Sequence, residues 1–192
     1  MAVLPIYTYG HPLLRKKAKP VRTVDDRIIK LVADMFDTIG NANGIGLAAN
    51  QVGALDRIIV VDITDMEETK KLPEGVLGKN PIMLLNPEVV SQEGTWVMEE
   101  GCLSIPEIRD EVERAETIRV GYKDIEMGDQ ELVANGLLSR VLLHEIDHLN
   151  GVLFIDHLSK VKQKLLRGRL NKIRKGEVEV AYPVVSEVLE VK

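Results

Sequence analysis

The sequence has very little cysteine and no long apolar run. Cys102 is its one cysteine, so a disulfide within the chain is excluded. A membrane-spanning helix would need a run of ~18 apolar residues, and a secretion signal would need a charged segment followed by an apolar one; neither occurs. We therefore expect a cytoplasmic protein without a membrane segment. Residues 2–9 are predicted to begin a folded strand.

An excess of positive charge is also missing. The chain has 25 lysines and arginines against 30 aspartates and glutamates, a formal net charge of −5 at pH 7. Proteins that bind nucleic acid or an anionic membrane usually carry a basic surface. Any site for such a partner must therefore be local.

The chain has enough material for one domain. It holds 192 residues, 45% of them hydrophobic, without an internal repeat or low-complexity stretch. We predict a single domain over residues 1–192, with a C-terminal tail from about residue 176. Residues 64–80 are polar and interrupted by glycine and proline, so they are predicted to form a long surface loop.

Apolar periodicity predicts both strands and helices. Runs rich in β-branched residues predict strands at 57–63, 82–85, 95–98 and 111–125. Helical spacing predicts helices at 23–39 after the capping candidate Thr23, at 136–149 after Asn135, and at 159–175. Because strands and helices do not alternate, we predict an α+β fold. Mixed or antiparallel sheets would pack around a central helix at 136–149, with one N-terminal and one C-terminal helix.

The strongest chemical signal is an H-E-x-x-H pattern inside the predicted central helix, formed by His144, Glu145 and His148. Residues four apart lie on the same face of a helix, so both imidazoles can bind one metal ion. A glutamate beside the first histidine can take a proton from a bound water and pass it on, so Glu145 is the predicted general base and acid. A helix with two histidines spaced by chance is the simpler alternative.

A third ligand is offered by Cys102. It lies within residues 99–106, whose polar and glycine-containing composition predicts a loop. Ligation by one cysteine and two histidines would leave one tetrahedral position open for water, as a hydrolytic metal site requires. The alternative is a small, inert core residue, since free cysteines are usually buried.

Residues 43–53 combine glycines, small residues and one glutamine, Gln51, whose side-chain amide carries two donors. The G-x-G-x-x-G pattern of dinucleotide-binding proteins is missing, and the segment follows a predicted helix rather than a strand, so a nucleotide site is disfavoured. Close approach of the backbone to a substrate would explain the glycines. A tight connection that needs them for its turn geometry would explain them as well.

Three separated segments together resemble one family. G-x-G-L-A-A-x-Q at 44–51, E-G-C-L-S at 100–104 and H-E-x-D-H-L at 144–149 occur in the order typical of bacterial peptide deformylases, and the resemblance extends over nearly the whole chain. It implies N-formylmethionyl peptides of newly made proteins as substrates, and one divalent ion held by Cys102, His144 and His148. Ferrous iron is implied in the cell, and zinc, nickel or cobalt in purified material.

The resemblance also implies roles for further residues. The side-chain amide of Gln51 and the backbone N–H of Leu103 would stabilise the oxyanion that develops at the formyl group. The backbones of Ile45 and Gly46, and the segment around Glu100, would pair with the substrate main chain. It further implies that the methionine side chain lies in a pocket formed by Leu137, Val141 and the stem of Arg140. Arg109 would contact the downstream end of the peptide.

Two other classes of protein stay open. Metallopeptidases also use H-E-x-x-H but usually take a third ligand downstream, where His157 and several acids are available. A non-catalytic protein with a closed structural site would need a fourth cysteine or histidine ligand, and the chain has no second cysteine. The upstream Cys102, inside a motif that resembles the deformylases, favours the deformylase.

The predicted C-terminal helix concentrates positive charge in an otherwise acidic chain. Eight basic residues lie between 160 and 175, and the apolar residues between them have helical spacing: Val161, Leu165, Leu166, Leu170 and Ile173. One face is therefore predicted to dock on the body of the protein while the other presents positive charge. We hypothesise that this face binds the ribosome weakly through RNA phosphates; an ordinary solvated surface is the alternative. We otherwise expect a monomer.

Overall fold

The computed structural model describes residues 2–63 and 81–187. The predicted loop at 64–80 and the end of the predicted tail lie outside the described residues. The helices are α1 (Asp26–Ala42), α2 (Gly136–Leu149) and α3 (Lys160–Arg174), so the three predicted helices are confirmed. None of the helices in these two ranges is long and apolar enough to cross a membrane.

Helix α1 begins and ends at different residues from those predicted. Its N-cap is Asp25, whose side chain accepts a hydrogen bond from the N–H of Ile28 at 2.9 Å, so the predicted cap Thr23 is wrong. A carboxylate satisfies a free N–H of the first turn and interacts favourably with the helix dipole. At the other end the helix continues to Ala42, and Asn43 closes it in the left-handed conformation at φ 50°.

Nine strands form three sheets in the described residues. They are β1 (Ile6–Tyr7), β2 (Gly46–Ala48), β3 (Ile58–Val61), β4 (Ile82–Glu93), β5 (Trp96–Cys102), β6 (Ile105–Arg114), β7 (Thr117–Lys123), β8 (Asp129–Asn135) and β9 (Val184–Val185). A five-stranded antiparallel sheet has the order β2-β3-β4-β7-β8; β5 and β6 form a hairpin, and β1 pairs in parallel with β9. The α+β class and the mixed sheets are confirmed.

The prediction of one strand over 111–125 is wrong. Strand β6 ends at Arg114 and β7 begins at Thr117, and the two strands belong to different sheets. The intervening Ala115 and Glu116 contain no glycine or proline, so the composition carries no turn signal. The change of sheet takes the chain from the β5-β6 hairpin to the main sheet, and the hairpin contacts α2 from Arg140 to His148.

The five-stranded sheet is covered by a helix on each face, and β3 shows why. Ile58 and Val60 belong to the apolar cluster around α1, whereas Ile59 and Val61 belong to the cluster around α2. Successive side chains of a strand point to opposite faces, so a strand buried on both sides is a continuous apolar run. Helix α2 is therefore held between the main sheet and the β5-β6 hairpin, which is the position from which it supplies the site.

The C-terminal part of the chain is only partly as predicted. Helix α3 buries Leu170 and Ile173, and Leu166 packs beside them, but Val161 and Leu165 are 70% and 77% exposed, so the first part of the predicted apolar stripe does not dock. Beyond α3 the predicted tail does not leave the body, because its described part, 176–187, contains β9.

Candidate metal centre

Helix α2 presents its two histidines to the same side. The ring centroids of His144 and His148 lie 4.9 Å apart, and the ring of His144 stacks on Phe154. The neighbouring stripe of the helix, Leu138 and Leu142, is buried against the main sheet. The helix is thereby fixed in rotation, so the histidines cannot turn away from the cavity.

Cys102 completes the cluster from the opposite side. Its Sγ lies 3.1 Å from Nε2 of His148, and one ligand atom from each of Cys102, His144 and His148 lies within 4.8 Å of the others. The predicted loop around the cysteine is wrong, because Cys102 is the last residue of β5 and only Leu103 and Ser104 separate it from β6. A short hairpin turn holds the thiol more rigidly than a loop would.

A buried network of charges orients the first histidine. Nδ1 of His144 lies 2.9 Å from Oε2 of Glu100, which also accepts a hydrogen bond from Arg114 at 3.0 Å, while Oε1 accepts one from Arg140 at 2.8 Å. Burial alone would raise the pKa of Glu100, but the hydrogen bonds from His144 and Arg114 outweigh it and hold that pKa well below its ordinary value. The carboxylate therefore accepts the Nδ1 proton, which leaves Nε2 free as a ligand.

The residues fit a divalent cation. Burial lowers the pKa of His148 well below its ordinary value, so this imidazole is neutral and can donate a lone pair. Burial also lowers the pKa of His144, but Cys102 and Glu100 raise it more, which means that their charges favour a cation at this point. A thiolate and two imidazoles form the open three-ligand set of catalytic transition-metal sites. The Asn50 side chain, in the turn that follows β2, donates to the carbonyl of His148 and so joins this turn to α2.

The catalytic candidate Glu145 lies beside the cluster and is deeply buried. Its Oε2 has no hydrogen-bond partner among the described residues. Burial is the largest influence on its carboxyl group and raises its pKa to about 7. A Cβ atom at Gly46 would come within 2.6 Å of Oε1 of Glu145, so only glycine allows this strand to approach the glutamate. Gly46 is therefore required by a close contact inside the protein, and approach of its backbone to a substrate stays a prediction.

Gln51 reaches the cluster from the short turn that follows β2. Its Oε1 accepts a hydrogen bond from the N–H of Ala48 at 2.8 Å, which turns the amide nitrogen toward the site. That nitrogen lies 3.2 Å from Oγ of Ser104 and 3.7 Å from Sγ of Cys102. The backbone of Leu103 lies in the adjacent turn, so both predicted oxyanion donors stand next to the cysteine.

A cavity of about 600 Å³ opens in front of the cluster and brings the predicted substrate-binding residues together. It is lined, among others, by Ile45, Gly46, Glu100, Arg109, Leu137, Arg140 and Val141. The charged end of Arg140 is engaged inside the protein, where it donates to Glu100 and lies 5.5 Å from the centre of the Trp96 ring. Only its stem is therefore left to line the cavity. Arg109 lies at the mouth with its side chain 70% exposed.

The predictions made from the sequence missed some residues of the site. Arg114 pairs with Glu100 and also with Asp147, at 2.7 Å, and no motif pointed to it. Val180, Ala181 and Tyr182 line the cavity although their segment was predicted as a tail. His157, the downstream alternative ligand, bonds to Asp147 at 2.7 Å instead of joining the cluster. In residues 2–63 and 81–187 the candidate cluster therefore consists of three donors.

The site has three donors, an open side and a buried carboxyl group whose pKa is raised. These features together define a class, the metal-dependent hydrolases. The family model described as "Polypeptide deformylase" matches residues 3–164. This chain belongs to that family.

Individual proteins similar to this chain in sequence or in structure are also peptide deformylases. The peptide deformylase of Salinibacter ruber is 49% identical over 186 residues, which cover 96% of this chain and 95% of that protein. The peptide deformylase of Chlorobaculum tepidum is 40% identical over 190 residues, covering 99% and 98%. The crystal structure of a peptide deformylase from Legionella pneumophila superposes with a TM-score of 0.80 at 41% identity and covers 92% of this chain and 98% of that one.

Proposed function

We propose that this chain hydrolyses the N-formyl group of the N-terminal methionine of newly synthesised peptides and releases formate. The observation that supports it most directly is the cluster of Cys102, His144 and His148. Two of its members, Cys102 and His144, line one cavity together with Glu145. Family membership supports the same reaction. The other parts of the reaction are assigned below to residues whose positions fit them.

Cys102, His144 and His148 would hold the divalent ion. When bound, the ion supplies a Lewis acid that polarises a carbonyl group and makes water acidic enough to attack at neutral pH. We propose ferrous iron as the resident ion, with zinc, nickel or cobalt as replacements in purified protein; a thiolate with two imidazoles suits each of them. Glu100 supports the site from behind by fixing the ring of His144.

Glu145 would move the proton. With a pKa raised to about 7 by burial, its carboxylate is basic enough to take a proton from the attacking water and acidic enough afterwards to give it to the leaving amine. Its Oε2, which no described residue engages, is the atom available for this transfer. One group thus acts as base and then as acid.

Gln51 and Leu103 would stabilise the oxygen of the formyl group as it gains negative charge. The Gln51 amide is held by Ala48 through its oxygen, so its nitrogen is already oriented before substrate arrives. Such preorganised donors strengthen binding of the transition state more than binding of the substrate, and the loss of one costs ~3 kcal/mol. The N–H of Leu103 would be the second donor.

The substrate main chain would bind along β2. This strand is at one edge of the five-stranded sheet and pairs with β3 on its other side, so its free edge can accept an extended peptide. Backbone pairing by Ile45 and Gly46, and by the segment at Glu100, would bind many sequences without distinguishing them. The methionine side chain would lie against Leu137, Val141 and the stem of Arg140.

The test is to measure two reactions on the same preparation. Protein purified without oxygen and loaded with ferrous iron should release formate from formyl-Met-Ala-Ser and leave casein uncut. Treatment with a chelator should abolish formate release, and addition of the ion should restore it. Cleavage of casein without formate release would instead identify a metallopeptidase. A metal-loaded protein that does neither would point to a structural metal site.

We further propose that α3 brings this cytoplasmic, monomeric, single-domain enzyme to the ribosome. Three of the eight basic residues at 160–175 make contacts inside the described fold, namely Lys162 with Asp110, Arg169 with the carbonyl of Glu107, and Arg174 with Glu187. Exposed Lys160, Lys164, Arg167, Lys172 and Lys175 are placed to meet RNA phosphates. Val161 and Leu165 lie among them and add exposed apolar surface.

A further inference from the structure

The hairpin turn beside Cys102 is held by the two ends of the chain. The N–H of Tyr9 donates to the carbonyl of Ser104 at 2.8 Å, and the hydroxyl group of Tyr182 donates to the carbonyl of Leu103 at 2.9 Å. Both carbonyls of the turn are thus engaged by residues from distant parts of the sequence. A turn held at both residues has little freedom to tilt.

Tyr182 is itself placed by paired backbone. Strand β9 begins two residues later and pairs in parallel with β1, and the hydrogen bonds continue on both sides of the pair, from Ile6 N–H to the carbonyl of Pro183 and from Thr8 N–H to the carbonyl of Val185, each at 2.9 Å. Ser186, just beyond, is fully buried. The segment that carries Tyr182 therefore belongs to the packed structure, and its hydroxyl group is presented from a defined position.

The environment keeps this hydroxyl group a donor. Burial, with a smaller influence from Cys102, raises the pKa of Tyr182 to about 12, so the proton is retained through the neutral range. Its ring packs with the cluster that includes Leu103, and it lines the cavity together with Val180 and Ala181. All three residues lie beyond the stretch 3–164 that matches the family model.

We infer that Tyr182 is a positioning residue for the reaction: by holding the carbonyl of Leu103 it fixes the turn and so directs the N–H of Leu103 toward the formyl oxygen. The inference rests on the proposed function, in which that N–H is an oxyanion donor. Tyr182 would act through Leu103 and need not touch the reacting atoms. An oxyanion donor that is displaced loses transition-state stabilisation, whereas binding of the ground state changes little.

Tyr182→Phe removes the hydroxyl group and keeps the ring. For this variant we expect kcat to fall about fivefold, the effect of losing one neutral hydrogen bond, with KM and metal content unchanged and Tm lowered by about 2–4 °C. The same factor should appear with formyl-Met-Ala and with formyl-Met-Ala-Ser. Amide hydrogen exchange should become faster at Leu103 and Ser104 and stay unchanged in α2. Tyr122→Phe, on β7 and outside the cavity, is the matched control and should alter none of these quantities.

Three results would overturn the inference. Unchanged kcat with a lower Tm would show that Tyr182 only stabilises the C-terminal segment. A raised KM with unchanged kcat would show that it is a wall of the substrate site. Unchanged exchange at the turn would show that the hydrogen bond does not restrain it. If the unmodified protein itself released no formate, the proposed function would fail first, and the two failures are therefore distinguishable.

Discussion

Helices α2 and α3 follow each other in the chain and both carry charged side chains, yet their surroundings differ completely. In α2, 11 of 14 residues are buried, whereas α3 buries only Leu170 and Ile173 among its 15. Burial changes the chemistry of Glu145 in α2, since it raises the pKa of a carboxyl group to about 7. The exposed charges of α3 remain solvated, so they are suited to a partner and not to catalysis. Substitutions in or around the two helices should therefore differ greatly in effect.

The largest effect is expected at the third metal ligand of the α2 site. Cys102→Ser replaces a soft thiolate by a poor ligand at nearly constant volume, so the protein should fold, lose its metal and lose essentially all formate release. Metal analysis together with circular dichroism checks both parts. A variant that keeps one ion per chain would show that another residue is the ligand.

Glu145→Gln should come next. The amide cannot accept and return a proton, so turnover should fall by at least ~10²-fold while metal content stays at the level of the unmodified protein. Stopped assays of formate on metal-loaded protein measure the loss. Glu126→Gln, on an exposed turn, is the control for removal of one negative charge. Near-normal turnover in the Glu145 variant would exclude it as the base.

Glu100→Gln should have a smaller effect on the site and a clear effect on stability. It weakens the support of His144, so metal affinity should fall by about 10- to 100-fold. It also leaves buried Arg114 and Arg140 without their full counter-charge, which should cost about 3–5 kcal/mol in the free energy of unfolding. Metal titration measures the metal affinity, and urea denaturation measures the free energy of unfolding. Glu111→Gln, at an exposed position on β6, is the control. Equal losses of metal affinity and stability in this variant would show that the buried network has no special role.

The smallest effect on catalysis is expected on α3. Replacement of Lys164, Arg167 and Lys172 by glutamate should leave hydrolysis of a free formyl peptide unchanged. Binding to ribosomes should weaken, and the slope of log K against log salt should fall by about 2, since each lost phosphate contact removes roughly 0.7.

A second triple variant with the same change in net charge is the control for the loss of ribosome binding. Lys16, Lys17 and Arg22 are exposed near the N-terminus, and their replacement by glutamate alters the net charge by the same amount. If both triple variants lose ribosome binding equally, net charge alone is responsible. If neither the unmodified protein nor any variant co-sediments at low salt, α3 is ordinary solvated surface.

Local periodicity was enough to predict the three helices and the histidine pair. His144 and His148 are separated by one helical turn, so their common face follows from the helix itself. The helix over 136–149 was predicted to the residue, because Asn135 precedes it and Gly151 follows soon after it. The break between β6 and β7 was missed because Ala115 and Glu116 have no turn chemistry of their own; the structure imposes it by sending the two strands to different sheets.

What the sequence by itself determined is the family, the three helices and the candidate metal ligands, because these depend on short spacings and motifs. Only the tertiary structure decided that Arg114 holds Glu100, that Asp147 engages His157, and that Tyr182 reaches Leu103, 79 residues away in the chain. No periodic pattern encodes such pairs, because each partner is chosen by where separate elements come together in space. The same folding removes Glu145 from water, and its raised pKa is therefore a property of the packed structure and not of the motif.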